Sequence, residues 1–427
     1  MALVAGSYER FIWGFSLKPI TATAPSSDGT LALAPLFSYP AHAGPIRCVA
    51  AAPRAGLAAS GGADDSVRLY DLPTAADLGP LLDPCAAVSA LAFHSIGPVP
   101  RNLLAASDDG LLHLYDADGF ALLSSLRVFP RGREAADAVA VHPSGRVALA
   151  VGRAGGLAML NLLRGRRSFA CRLERPASAV AYAEDAAGGD RFVMAAEEKV
   201  TVHDSEDARI IHEMRCDKRV LAFAPAKNGV LYTGGEDRGI TAWDLSSGKV
   251  SSRIEGAHST RVKGIVVFDN RNDGSEVSTL VASASSDGVI RIWDARMIGN
   301  EKPTPVAEVN TKARITCLAG SSLKYMGIWE KVATLAAAPT LDPANWEVHP
   351  RVVDWMCSLA AGLPNAEASR VRSCAMLVLW HIWLERNART FRAFTSTVVS
   401  LLAKIADEAA TWDLAGAKIS TPRRVVV

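Results

Sequence analysis

One phrase recurs along this chain and constrains its fold: small residues, then an acidic residue, then an apolar run that closes on an aromatic residue. The fullest copy is ASASSDGVIRIWD, at Ala282–Asp294. The acidic position recurs roughly every 40 to 50 residues, a period typical of ring-forming repeats. It is occupied in turn by Asp64, Asp109, Gly155, Glu197, Asp237 and Asp287. Such a chain is built from repeated four-stranded sheets rather than around one compact core.

A seventh copy is split between the two ends of the chain. Residues 3–15 have the pattern of the later strands of a sheet, with Glu9 in the acidic position and Phe15 in the aromatic one, but no inner strand precedes them. Residues 314–320 have the pattern of an inner strand without a following partner. Because open sheet edges promote aggregation and ring closure removes them, we predict that residues 1–322 form one closed, all-β, seven-bladed propeller. Its last blade is shared between N-terminal and C-terminal strands.

Polar residues recur at fixed places in these repeats and resemble the hydrogen-bond set of WD40 propellers. In that family the Asp accepts from the His, the His reaches a Ser or Thr, and this hydroxyl reaches the Trp indole. We number blades 1 to 6 by the acidic positions above. The matching residues are His258, Ser283, Asp287 and Trp293 in blade 6; His42, Ser60 and Asp64 in blade 1, with Tyr70 replacing Trp; and Thr233, Asp237 and Trp243 in blade 5, without the His. A buried His or Trp needs a polar partner, so we expect a structural role for these sets.

A Ser, a His and an Asp in one repeat could also be interpreted as a catalytic triad. The spacing recurs blade by blade, however, which a unique active site would not do, and the set would be buried within a sheet. The chain has neither a GxxxxGK[ST] phosphate loop nor zinc-type spacing of Cys and His. His203, at the aromatic position of blade 4, is expected to pack in a strand rather than bind a ligand. We predict no catalytic residue, no metal site and no cofactor.

Charge and cysteine usage narrow the protein class. The net charge is +2 and the pI about 8.1, which gives no strong whole-chain signal for nucleic-acid binding. The seven cysteines show no CxxC spacing, and Cys48, Cys171 and Cys317 fall in predicted strands, where we expect reduced, packed thiols. No apolar run reaches the 18 residues of a membrane span, and Glu9 and Arg10 interrupt any signal-peptide core. We expect a soluble, intracellular, monomeric protein without a membrane partner.

Longer stretches resemble one WD40 family in particular. They are MALVAGSYE at the start, HPSGRVALAVG at 142–152, AHSTRVK at 257–263, VASASSDG at 281–288 and EVNTKARITCL at 308–318. Over residues 1–322 they are similar to the plant-type members of the PAK-interacting protein 1 family. The resemblance implies a non-catalytic scaffold for large (60S) ribosomal subunit biogenesis and pre-rRNA processing, located in the nucleus and nucleolus. It implies proteins of pre-60S particles as partners, with rRNA phosphate as a further ligand, and negative regulation of PAK protein kinases.

The repeat pattern ends at Ser322, and residues 323–427 have a different character. Leu377–Arg392 and Ile405–Lys418 resemble the C-terminal tail of plant non-LTR retrotransposon reverse-transcriptase proteins. No polymerase motif accompanies them, so we expect no polymerase chemistry. We predict an α-helical or poorly ordered extension outside the propeller, introduced as a transposon-derived exon or a gene-model fusion. The alternative is a helical partner-binding domain, whose helix over about 369–394 is apolar almost all round between Met376 and Leu384.

A second functional hypothesis comes from the tetrapeptide Trp293–Arg296. It fits the WDxR box by which some propellers dock on the adaptor of a cullin-RING ubiquitin ligase. The chain would then be a substrate receptor. Because this tetrapeptide arises often in WD40 blades, the ribosomal scaffold is the preferred interpretation.

Candidate partner-binding residues lie where the chain enters the inner strands, the face that WD40 rings mostly use for binding. They are Arg219, Arg261, Lys263, Lys312 and Arg314. Blades 2, 3 and 4 have Ala87, Ala135 and Pro176 at about the same place, so the predicted charge is one-sided. The guanidiniums could bind rRNA phosphate or an acidic segment of an assembly factor. They could also be solvated loop charges, or pair with acidic residues of the next blade.

Overall fold

The structure, a computed structural model, describes residues 1–19, 31–96, 99–117, 119–129, 134–184, 190–270, 278–298, 303–322, 332–333, 338–341, 352–392 and 398–414. The chain divides into two compact units, Met1–Leu323 and Lys324–Val427.

Seven four-stranded antiparallel sheets make up the first unit. The chain begins with β1 (Ala2–Ser7), β2 (Phe11–Pro19) and β3 (Leu31–Pro40). Blade 1 follows with β4 (Ile46–Ala51), β5 (Leu57–Gly62), β6 (Val67–Asp71) and β7 (Ala76–Leu81). Blade 2 contains β8 (Val88–Ile96), β9 (Val99–Ser107), β10 (Leu111–Asp116) and β11 (Leu122–Arg127). Blade 3 contains β12 (Ala136–Val141), β13 (Val147–Gly152), β14 (Gly156–Asn161) and β15 (Arg166–Arg172).

The remaining blades repeat the same order of strands. Blade 4 contains β16 (Ala179–Glu184), β17 (Asp190–Ala196), β18 (Lys199–Asp204) and β19 (Ile210–Arg215). Blade 5 contains β20 (Val220–Pro225), β21 (Val230–Gly235), β22 (Ile240–Asp244) and β23 (Val250–Ile254). Blade 6 contains β24 (Val262–Asn270), β25 (Ser278–Ser285), β26 (Val289–Asp294) and β27 (Ala307–Asn310), with a short 3-10 helix at Ala295–Met297. The last strand, β28 (Ile315–Ser321), belongs to blade 7.

The two ends of the propeller sequence close the ring in blade 7, whose strand order is β28-β1-β2-β3. Strands β28 and β1 are antiparallel, with Val4 opposite Ala319. Val4 is fully buried and packs in one cluster with Ile46 and Tyr70 of blade 1. The prediction of a seven-bladed propeller with a shared last blade is therefore confirmed.

A β-bulge lies at the start of the inner strand in six blades. In each case the second residue of the strand is skipped in the pairing with its neighbour. The bulged residues are Arg47, Ser89, Asp137, Leu221, Lys263 and Thr316. A bulge re-aims the side chain that it contains. The Ser89 hydroxyl donates to the Ala136 carbonyl of the next blade, at 2.7 Å, and the Thr316 hydroxyl donates in the same way to the Ile46 carbonyl, also at 2.7 Å.

The second unit is helical. Among its described residues lie a 3-10 helix (Pro339–Leu341), α1 (Val352–Ser358), α2 (Asn365–Arg392) and α3 (Val398–Leu414). Helix α2 begins four residues before the predicted Ser369, and its buried Val371 and Val378 pack against Ile405 of α3. The run that the sequence shows as apolar almost all round is buried on one side, whereas its other side, with Trp380 and Trp383, is exposed.

Candidate functional site

The predicted hydrogen-bond set is most complete in blade 1. His42 Nε2 lies 2.7 Å from the Ser60 hydroxyl, which lies 2.7 Å from the Tyr70 hydroxyl. The other nitrogen of the imidazole, His42 Nδ1, lies 2.8 Å from the Asp64 carboxylate. Tyr70 is fully buried and takes the place of the Trp, so four side chains form one continuous chain. Burial would raise the pKa of Asp64, but hydrogen bonds from Ala43 and His42 keep that pKa below its usual value.

Blade 6 has the same residues in a different arrangement. His258 Nε2 lies 2.8 Å from the Ser283 hydroxyl, and the Trp293 indole donates to this hydroxyl at 2.9 Å. The expected bond between His258 and Asp287 is not formed. Asp287 instead accepts from the hydroxyl of Ser259 and from the Val289 amide. His258 Nδ1 is buried without a hydrogen-bond partner among the described residues.

In blade 5 a cysteine takes the histidine position. Cys216 precedes its inner strand by the same four residues as His258 and contacts the Thr233 hydroxyl, to which the Trp243 indole donates at 2.9 Å. A cavity of about 90 Å³, lined by Cys216, Thr233 and Asp237 among others, lies at this point. Burial raises the pKa of Cys216 to about 11, so the thiol is not a ready nucleophile. Asp237 lies 3.7 Å from the Arg253 guanidinium.

The hydrogen-bond sets are internal to their sheets. His203, which could also have bound a ligand, is likewise engaged by other side chains of its own blade. His203 is buried, stacks on Phe192 at 4.7 Å between ring centroids and bonds to the Thr201 hydroxyl. Within the described residues, no three His, Cys, Asp or Glu side chains come together as a metal site requires.

None of the described helices is both long enough and apolar enough to cross a membrane. Cys48 and Cys317 lie in strands as expected, but Cys171 is exposed on the outer strand β15 rather than packed.

The predicted cationic residues lie on the face of the propeller where the chain enters the inner strands, which we call the entry face. The carbonyl of the residue before the inner strand accepts a backbone hydrogen bond from the turn between the two middle strands. Arg219 accepts from Glu236 at 3.0 Å, Arg261 accepts from Ser286 at 3.2 Å, and Arg314 accepts from Tyr8 at 2.9 Å. The same bond is made by Pro45, Ala87 and Ala135 in blades 1 to 3. The three arginines therefore occupy equivalent places in three successive blades.

Lys263 joins this arginine group. It is the bulged residue of blade 6, half-buried, and its pKa is lowered first by burial and then by the charges of Arg261, Arg314 and Arg219. The nearby carboxylate of Glu236 acts in the opposite direction. Arg261, Arg314 and Arg219 are thus each close enough to act on the charge of Lys263. We call Arg219, Arg261, Lys263 and Arg314 the entry-face cluster.

Lys312 is not brought into this cluster. It is exposed in the turn after β27, with a positive φ of 55°, and its backbone N–H donates to Asn310. It is not among the charges that shift the pKa of Lys263. Its side chain is therefore a peripheral cation on the same loop as Arg314.

The cluster has little internal neutralisation. Among the described residues, none of its four side chains forms an ion pair. The Arg261 guanidinium contacts the Ser286 hydroxyl at 3.4 Å, and the Arg314 guanidinium lies over the Tyr8 ring, 5.3 Å from its centroid. Glu9 accepts a hydrogen bond from the backbone of Arg314 at 3.0 Å rather than from its side chain. Pairing with acids of the next blade, one of the alternatives left by the sequence, is not found for these residues.

Blades 1 to 3 present a contrasting, neutralised arrangement on the entry face. Asp108 bonds to Arg47 at 2.5 Å and to Arg153 at 3.2 Å, and Arg153 also bonds to Asp137 at 2.9 Å. Arg47 and Asp137 are bulged residues, equivalent to Lys263. One half of the face is therefore cross-linked by ion pairs, and the other half carries unpaired cations. The sequence did not reveal the paired network, because its members come from three blades and combine bulged strand residues with residues of the turns between the two middle strands.

The WDxR box is partly engaged within the chain. Trp293 is buried, and the exposed Arg296 guanidinium bonds to Asp294 at 2.7 Å. Asp294 also caps the short 3-10 helix through the Arg296 amide. The arginine that would serve docking is thus held by its own blade.

Comparisons with known proteins agree with the repeat pattern. The WD domain, G-beta repeat family matches residues 33–71 and 253–294. A p21-activated protein kinase-interacting protein 1-like protein of Danio rerio is 30% identical over 316 residues, which cover 74% of this chain and 79% of that protein. The p21-activated protein kinase-interacting protein 1 of Homo sapiens is 27% identical over 347 residues, covering 81% and 82%. Protein MAK11 of Saccharomyces cerevisiae is 23% identical over 356 residues, covering 74% and 82%.

Proposed function

The chain belongs to the p21-activated protein kinase-interacting protein 1 family, and on that premise we propose that it is a non-catalytic scaffold for the assembly of the large ribosomal subunit, located in the nucleolus. The ribosomal role rests on the resemblance of residues 1–322 to the plant-type members of the family. The observation that carries the scaffold role is the entry-face cluster, a group of cations with no ion pair among the described residues, on a face whose other half is cross-linked by ion pairs. The buried hydrogen-bond sets stabilise the fold, so the residues that bind a partner must lie on the surface.

The partner chemistry that best suits the cluster is an acidic protein segment of a pre-60S particle. The four cations are concentrated around one half-buried lysine, which favours one or two carboxylates over a long polyanion. Burial and then the neighbouring arginines lower the pKa of Lys263, and an arriving carboxylate would offset the effect of those arginines. Arginine also forks onto carboxylates with two parallel hydrogen bonds, which fixes the orientation of the segment.

Regulation of a PAK-type kinase is the second function that we propose. It is supported by the names of the animal relatives, which interact with p21-activated protein kinases. The same cluster would serve an acidic segment of a kinase as well as one of an assembly factor. The two partners would then compete for one face.

The decisive experiment replaces Arg261 and Arg314 with Glu in one protein. We expect this double variant to lose co-sedimentation with pre-60S particles while keeping the melting temperature of the wild type. The matched control is Lys227→Glu with Lys249→Glu. Both lysines are exposed and lie in turns of blade 5 on the face opposite the entry face. The control should sediment normally. Normal association of the folded Arg261→Glu, Arg314→Glu protein would exclude the cluster as the binding site.

A further inference from the structure

A second cationic surface runs along the outer strand of blade 3 and ends at Arg175, and it shares no residue with the entry-face cluster. It consists of Arg164, Arg166, Arg167, Arg172 and Arg175, which we call the blade 3 arginine edge. We propose that this edge binds single-stranded RNA, with its guanidiniums on the phosphates and with Phe169 stacked on a base. The proposal is independent of the entry-face cluster.

The strand geometry leaves these side chains available. Strand β15 pairs only with β14, so its other edge carries no strand partner. Arg166 and Arg172 are exposed near its two ends, about 20 Å apart at the rise of an extended strand. Phe169 lies between them with 54% of its surface exposed. The pairing with β14 places Arg166 and Phe169 on one face of the strand and Arg167 and Arg172 on the other, with a β-bulge at Ser168. A strand edge with cations on both faces and an exposed ring between them has the features of a stacking platform for unpaired bases.

The charge of the edge is not neutralised within the propeller. Among the described residues, Arg164, Arg166 and Arg172 form no ion pair. Arg175 lies 3.4 Å from Glu197, but both side chains are largely exposed and the pair is weak. Glu174 is the only acidic residue between Leu162 and Pro176.

The corresponding strands of the next two blades are different. On β19 the carboxylate of Glu213 bonds to Lys199 at 2.6 Å and lies near Arg215. On β23, Arg253 bonds to Asp217 at 2.6 Å. Outer strands of this ring therefore usually carry balanced charge, and β15 departs from that rule.

The patch is also wider than one strand, which favours RNA over an added peptide strand. Arg167 donates to the Val128 carbonyl at 3.2 Å, which places it beside Arg127 at the end of β11. At the other end, the Leu162 amide donates to the Arg146 carbonyl at 2.9 Å, so Arg146 lies at the same end of the blade as the turn that contains Arg164. A peptide that extended the sheet would contact β15 alone. A nucleic-acid backbone can follow cations across several segments.

Protection of an open sheet edge is the alternative explanation for charges on an outer strand. Protection of an edge needs charge and does not require an exposed aromatic ring. Here Phe169, Leu163 and Cys171 are exposed on the same segment. Exposed apolar side chains between guanidiniums are better explained by a ligand that has both charge and flat rings.

The test uses the full chain and a fluorescent 15-nucleotide oligouridylate, with binding followed by anisotropy. We expect Arg166→Glu with Arg172→Glu to weaken binding at least tenfold. The slope of log affinity against log salt should flatten by about 0.7 for each arginine lost. Phe169→Ala should weaken binding several-fold and leave the salt slope unchanged. The matched control, Arg209→Glu with Arg215→Glu around β19, should bind as the wild type does.

The other outcomes separate the competing explanations. If Arg166→Glu with Arg172→Glu binds RNA normally but aggregates, the arginines protect the edge and the proposal is overturned. If a poly-glutamate peptide displaces the RNA at equal charge concentration and Phe169→Ala has no effect, the surface is a site for acidic protein segments. The entry-face variant Arg261→Glu, Arg314→Glu should keep full RNA affinity. RNA binding lost in that variant and kept in the edge variant would place the RNA on the entry face instead.

Discussion

Tyr8 and Arg314 meet at the junction of the two chain ends, where the Arg314 guanidinium lies 5.3 Å from the centroid of the Tyr8 ring and the Arg314 carbonyl accepts from the Tyr8 amide at 2.9 Å. Tyr8 follows β1, and Arg314 precedes β28, so this contact belongs to the blade that closes the ring. Arg314 is also a member of the entry-face cluster. Closure of the ring and the geometry of the candidate binding face are therefore coupled.

Removal of residues 1–17 should unfold the propeller. It strips β1 and most of β2 from blade 7, leaves β28 without a partner and exposes the buried side of blade 1 at Ile46 and Tyr70. Long open edges of this kind promote aggregation. Thermal melts and size-exclusion chromatography would show loss of the cooperative transition and growth of large species.

The control for this prediction removes residues 325–427. We expect that protein to melt as a cooperative unit, because all seven sheets remain. A stable, monomeric protein lacking residues 1–17 would contradict the role of the shared blade.

Asp64→Ala should cost more stability than Asp287→Ala. Loss of Asp64 deprives the buried His42 of its carboxylate partner, leaves the Ser66 hydroxyl at 3.1 Å as the remaining one and breaks a chain of four side chains, so we expect about 2–3 kcal/mol. Loss of Asp287 frees mainly the Ser259 hydroxyl, which water can reach, so we expect about 1 kcal/mol. Urea denaturation of both variants gives the comparison. Equal midpoints would mean that the two blades use their acids alike.

The sequence predicted the ring because burial fixes residue types at a constant period. The shared blade followed from two incomplete repeats, and β28 pairs with β1 as expected. The places of Arg261 and Arg314 were also predictable, since the inner strands begin with recognisable apolar residues. Arg219 could be placed only within one or two residues from the sequence. Its backbone bond to Glu236 resolves that position.

Other features depend on contacts that a repeat pattern does not encode. The Asp287 carboxylate binds Ser259 rather than His258, because a hydroxyl follows the His in blade 6. In blade 1 the equivalent residue is Ala43, which offers only its amide, and Asp64 bonds to both that amide and the His. Lys312 lies close to Arg314 in sequence, but it is not among the charges that shift the pKa of Lys263. Spacing alone could not distinguish these outcomes.

Cys216→His should stabilise the propeller by about 1 kcal/mol. The imidazole would fill the 90 Å³ cavity of blade 5 and reach the Thr233 hydroxyl, as His258 reaches Ser283. Differential scanning calorimetry would show a higher melting temperature. Cys216→Ser, which adds no volume, serves as the control and should not raise it. A lower melting temperature for Cys216→His would mean that Asp237, held near Arg253, cannot accommodate the ring.

Stability should fall as the pH drops from about 6.5 towards 4, because His258 is buried in a form that resists protonation. Burial lowers the pKa of His258 to about 4, whereas an unfolded His titrates near 6.5. Between these values the unfolded chain binds a proton that the folded chain does not, so acid favours unfolding. The free energy of unfolding should fall by about 3 kcal/mol when the pH reaches about 4. Burial also lowers the pKa of His42, so His42 destabilises the folded protein in the same pH range.

The two carboxylates titrate in a separate window and do not obscure this effect. Hydrogen bonds keep the pKa of Asp64 and that of Asp287 below the usual value despite burial, so their contribution is lost only at lower pH. Urea unfolding at pH 7.5, 6.0 and 5.0 would compare the wild type with His258→Asn and with His212→Asn, a control on the outer strand β19. The wild type and the control should lose stability steeply, and His258→Asn should lose markedly less. If the free energy of unfolding falls with pH in parallel for all three proteins, other groups cause the acid sensitivity. A buried neutral His258 would by itself make the wild type lose more stability than His258→Asn.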